Sequence, residues 1–141
     1  MANIVELRNM SSEDILELLE DAREEMFNLR FQKAQGSLEN IARLKQVRRE
    51  IAQFNELLSK RSWSVEEAKS DPSIAEAIEG KSWSATSSYR YEEGVWMVSF
   101  VDENGDQLAI VDVDLNKKRR RTRRSRNSRP PVNKVVKVKV L

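Results

Sequence analysis

Phe27-Asn28-Leu29-Arg30-Phe31-Gln32-Lys33-Ala34-Gln35-Gly36-Ser37-Leu38-Glu39-Asn40 separates two stretches of clear helical periodicity and decides how the first part of the chain folds. Before the glycine, Ile15, Leu19, Ala22, Met26 and Leu29 recur at steps of four and three, the spacing of one helix face. Beyond it, Ile41, Leu44, Val47, Ile51, Phe54 and Leu58 repeat the pattern. Two amphipathic helices with a short connection predict an antiparallel helical hairpin. Ser11 with Asp14 forms a short-armed capping box for the first helix, and Val5, Leu7 and Met10 before it are placed to fold back as a staple or lid. Gly36 supplies the left-handed geometry that ends that helix near Gln35. Asn40 caps the second helix, with Ser37 as an earlier alternative start, and the periodicity carries it to about Lys60.

Charge is distributed along the chain far less evenly than the net value of +2 suggests. Residues 1–61 carry 10 basic and 11 acidic groups, residues 62–116 carry 3 and 12, and residues 117–141 carry 12 and none. Such a basic end calls for an anionic partner, often nucleic acid. Within the first segment, cations gather at the connection and along the second helix. On a helical wheel Lys45, Arg48, Arg49 and Lys60 share one flank with Ala42, Ala52 and Glu56. That flank suits either phosphate contact or plain solvation.

Leu16, Phe27, Phe31 and Ala34 make a second apolar stripe on the first helix. A two-helix hairpin buries only one stripe. The second therefore calls for RNA bases, a neighbouring protein, the C-terminal segment folding back, or packing on residues 62–116.

Cysteine and histidine are both absent, which excludes disulfides, thiol nucleophiles, imidazole bases and the usual zinc ligands. Asp112 and Asp114 alternate on one strand face but nothing converges with them, so no catalytic residue, metal site, cofactor or small-molecule substrate is expected. No apolar run approaches membrane-spanning length, and a cytoplasmic location is expected.

Glu6-Leu7-Arg8, Met10-Ser11, Phe27 through Asn40, and Arg43 followed by Val47-Arg48-Arg49-Glu50-Ile51-Ala52 resemble the bacterial large-subunit ribosomal protein family numbered twenty-nine, over about residues 1–61. Ile41 departs from the proline or small polar residue common there, and Phe54 from the usual aliphatic. The resemblance implies a long antiparallel hairpin that binds large-subunit ribosomal RNA near the nascent-chain exit, beside ribosomal protein twenty-three, where chaperones and targeting factors dock. Carried over by residue, it implies RNA contacts at Arg30, Gln32, Lys33, Gln35, Asn40, Arg43, Lys45, Arg48 and Arg49. Lysine and arginine neutralise phosphates, and the amides reach 2′-hydroxyls or base edges. The competing reading is a non-ribosomal helical-hairpin module that pairs with another protein through its apolar seams and carries a nucleic-acid-binding tail.

The resemblance does not extend beyond residue 61. Ser64 with Glu67 reads as a capping box, and Asp71-Pro72 followed by Ile74, Ala75, Ala77, Ile78 and Gly80 reads as a short capped helix. Residues 95–101 and 108–113 read as strands around an Asn104-Gly105 turn, with Trp83 to Tyr91 as a third. Residues 62–116 thus predict an acidic helix-plus-antiparallel-sheet extension, making the chain α+β. In the basic tail, 117–141, Lys117, Lys118, Arg119, Arg120, Arg121, Arg123, Arg124 and Arg126 are candidate RNA contacts, against the alternative of a solubilising linker. Pro130-Pro131 stiffens the exit. Val135-Val136-Lys137-Val138-Lys139-Val140 alternates as an edge strand does, and equally suits an unstructured end.

Overall fold

The computed structural model describes residues 3–118 and 132–141. The expected phosphate contacts Arg119, Arg120, Arg121, Arg123, Arg124 and Arg126, and the Pro130-Pro131 pair, lie outside the described residues. The fold is α+β, in two compact units, Met1–Lys60 and Arg61–Leu141. In chain order the elements are α1 (Ile4–Asn9), α2 (Ser12–Ala34), α3 (Ile41–Lys69), α4 (Pro72–Ile78), β1 (Trp83–Arg90), β2 (Val95–Asp102), β3 (Gln107–Val113) and β4 (Val135–Val140).

In the first unit the segment ahead of the capping box is itself helical. Asn3 caps α1, and Leu7 is its fully buried residue, while Val5 stays exposed. The reciprocal capping box at Ser11 and Asp14 forms, with bonds of 3.1 and 3.2 Å. α2 buries Ile15, Leu19, Ala22 and Met26, four of the five positions of the expected seam, leaves Leu29 half-buried, and ends at Ala34 with Gly36 at φ +75°. Asn40 Oδ1 accepts from the Ala42 amide at 3.0 Å and caps α3, whereas the Ser37 hydroxyl donates to the Gln32 carbonyl. Of the expected α3 seam, Val47 and Phe54 are buried, Leu44, Ile51 and Leu58 are half-buried and Ile41 is exposed, while Leu57, outside the expected set, is buried.

α3 does not stop near Lys60. It runs to Lys69, and the expected capping box at Ser64 and Glu67 does not form. No breaker intervenes before Asp71-Pro72, where proline disfavours helix in the preceding residue and Asp71 caps α4 instead. Ser64, fully buried, donates to the Arg61 carbonyl at 2.7 Å and shares a 2.6 Å hydrogen bond with Ser87 on β1. Arg61 is also buried, which lowers its pKa. Glu67 pairs with Lys134 at 3.0 Å.

The second unit holds one antiparallel sheet in the order β1-β2-β3-β4. Ala68, Ile74 and Ile78 pack with Val98, Phe100, Ala109, Val111 and Val113 in its core. Trp83 meets Phe100 edge-on at 5.4 Å, and the Lys69 ammonium lies 5.0 Å from the Trp83 ring centroid. The sheet has a fourth strand beyond the three read from residues 83–113, because Val135–Val140 pairs with β3 rather than remaining unstructured. That pairing satisfies the backbone edge of β3, which carries the buried Ala109, Val111 and Val113. Asp114 donates its amide to the Lys134 carbonyl at 2.8 Å just beyond the ladder. The basic segment is thus bounded in sequence by two paired strands. Asp112 is buried and lies 3.8 Å from Arg90, while Asp114 is half-exposed.

Candidate nucleic-acid interface

The nine candidate residues of the first unit fall into three groups. Arg30, Lys33 and Gln35 lie on the last turns of α2 and its C-cap, all exposed. Lys45, Arg48 and Arg49 project from α3, also exposed; at 100° per residue Lys45 and Arg49 lie nearly opposite Val47 and Phe54, and Arg48 about 100–120° round from them. Gln32, Asn40 and Arg43 line one groove at the connection, together with Leu29, Ser37, Leu38 and Glu39.

Their electrostatic states differ. Among the described residues, Arg30, Lys33, Lys45, Arg48 and Arg49 take part in no ion pair. None of them has to give up a carboxylate among the described residues before it meets an anion. Arg43 is already engaged: its Nε and Nη2 donate to the two carboxylate oxygens of Glu25 at 2.6 and 2.7 Å. Its Nη1 lies 3.9 Å from Glu50. Hydrogen bonding to Glu25 raises the Arg43 pKa above its ordinary value, against a smaller desolvation effect. Lys60, assigned to the basic flank, forms a 2.6 Å pair with Glu56 and is neutralised there. Asn40 commits its side-chain oxygen to the α3 cap.

The second apolar stripe of α2 is exposed: Leu16 at 48%, Phe27 at 69% and Phe31 at 58%. Among the described residues, no helix is long and apolar enough to cross a membrane, and no group of three or more acidic side chains is arranged to hold a metal. The spacing of 18 residues between Glu25 and Arg43 marks no local motif, so the sequence alone does not disclose this pair.

Comparison with known proteins bears on this same region. The family model described as ribosomal L29 protein matches residues 5–61. The large ribosomal subunit protein uL29 of Streptomyces griseus is 48% identical over 65 residues, covering 46% of this chain and 88% of the relative. The proteins of that name from Fusobacterium nucleatum and Oenococcus oeni are each 45% identical, over 56 and 64 residues. Those matches cover 40% and 45% of this chain, and 93% of each relative. The match spans α1, α2, the connection with its exposed cations and most of α3, and takes in nearly the whole of each relative: the chain belongs to the ribosomal L29 protein family.

Proposed function

We propose that the chain is a structural, non-enzymatic constituent of the large ribosomal subunit in the cytoplasm, where α2 and α3 act as a long antiparallel hairpin that binds large-subunit ribosomal RNA. The observation that carries this is the set of exposed cations Arg30, Lys33, Lys45, Arg48 and Arg49, without an ion pair among the described residues, around the connection of a helical pair. Phosphates bind through charge not already neutralised internally, with release of condensed counterions. Gln32, Gln35 and Asn40 lie among these cations and supply amide groups for 2′-hydroxyls or base edges. The family resemblance supports a site near the nascent-chain exit beside ribosomal protein twenty-three, with chaperones and targeting factors as further partners. Lys117, Lys118 and the arginines that follow add phosphate contacts from the β3–β4 connection.

The exposed Leu16, Phe27 and Phe31 favour a second reading, a module that pairs with another protein through this face. Sedimentation of the tagged full chain through a high-salt sucrose gradient, after expression in a bacterial host, separates the two. Co-sedimentation with the large subunit is expected. A chain that remains at the top of the gradient overturns the ribosomal reading and leaves the protein-pairing one.

A further inference from the structure

No residue between Met26 on α2 and Val47 on α3 is fully buried; Leu29, Leu38 and Leu44 are half-buried and Ile41 is 66% exposed. The ends of the two helices that flank the connection therefore lack the apolar seam that joins them further on. What crosses there is the two-armed Arg43–Glu25 bond. Both side chains are 37% exposed, so the pair alone adds little to global stability. Its planar fork nevertheless fixes distance and orientation together, which a single-point lysine contact would not.

We infer that Arg43 is a positioning residue and not an RNA contact: its bond to Glu25 holds the thinly packed ends of α2 and α3 in register, so that Arg30 and Lys33 on one helix and Lys45, Arg48 and Arg49 on the other meet the same RNA. The inference rests on the rRNA-binding reading. Local charge argues the same way. The arginine faces two carboxylates, Glu25 and Glu50, so a phosphate arriving there would have to displace one and approach the other.

The test uses the full chain, large-subunit rRNA as the probe and filter binding across a salt series. Helicity is followed by circular dichroism at the assay temperature. The variants are Arg43→Glu, Glu25→Arg and the double exchange Glu25→Arg/Arg43→Glu, which restores an oppositely oriented pair. The sign of the Glu25→Arg effect decides the matter. Adding a cation and freeing Arg43 strengthens binding if Arg43 contacts phosphate or if net charge alone governs affinity. A positioning role predicts that each single variant binds about tenfold more weakly with helicity unchanged, while the double variant returns to within about twofold of the unaltered chain and keeps its salt slope. Glu25→Arg binding as tightly as the unaltered chain or tighter, or a double variant as weak as Arg43→Glu, overturns the inference. Absence of salt-dependent rRNA binding by the unaltered chain overturns the functional reading itself, and the positioning role with it. That failure is read without any variant, so the two are distinguishable.

Discussion

Replacing Lys45, Arg48 and Arg49 together with glutamine isolates the electrostatic share of binding carried by α3. All three are exposed, none takes part in an ion pair among the described residues, and they face away from the buried Val47 and Phe54. Glutamine matches lysine and arginine closely in helix propensity, so α3 should keep its length. Each neutralised phosphate contributes roughly 0.7–0.9 to the slope of log affinity against log salt, so three lost contacts make the slope shallower by about 2–3. Across a rise from about 50 to 200 mM salt, the unaltered chain should lose roughly 20–40-fold more affinity than the triple variant. Filter binding of the full chain to large-subunit rRNA over that range reads the difference directly. The cations of the β3–β4 connection are common to both proteins and cancel in the comparison. Equal slopes with equal affinities would refute the reasoning, because they would mean that these cations stay solvated when RNA is bound.

Other expectations concern the scaffold and are read by thermal or denaturant unfolding of the full chain. Phe100→Ala, which empties a fully buried site against Trp83, should cost about 3–5 kcal/mol in the second unit. Gly36→Ala meets no atom within 4 Å, yet should cost about 1–2 kcal/mol because φ of +75° is strained for any side chain; an unchanged melting profile would show that the connection relaxes. Ser64→Ala removes the 2.6 Å bond to Ser87 and should cost about 1 kcal/mol, whereas substitution of the exposed neighbour Ser62 should have little effect.

Legibility from sequence followed the range of the forces involved. The Ser11 cap, the Gly36 terminator, the α2 seam and the Asn104-Gly105 turn are set by neighbours within a few residues, and the structure has them as the sequence predicts. Ser64 and Glu67 show the opposite case. Their spacing imitates a helix start, but burial of Ser64 against Ser87 and pairing of Glu67 with Lys134 keep both inside α3. Ile41 fits the seam by period alone, yet at the first position of α3 it stays exposed. At the candidate interface, residue type identified the cations and the four-residue spacing of Glu56 and Lys60 is itself a pairing signal, but only the fold separates Arg43, held by Glu25, from the five without an ion pair among the described residues.

Pairing of β3 with β4 also fixes where the arginine-rich segment joins the second unit. Asp114 and Lys134 are held together by a 2.8 Å hydrogen bond, so the chain that leaves the sheet at one must return at the other. An RNA contact made from this segment is therefore tied at both of its flanks to the second unit, which makes placement of that unit on the subunit a condition for the contact.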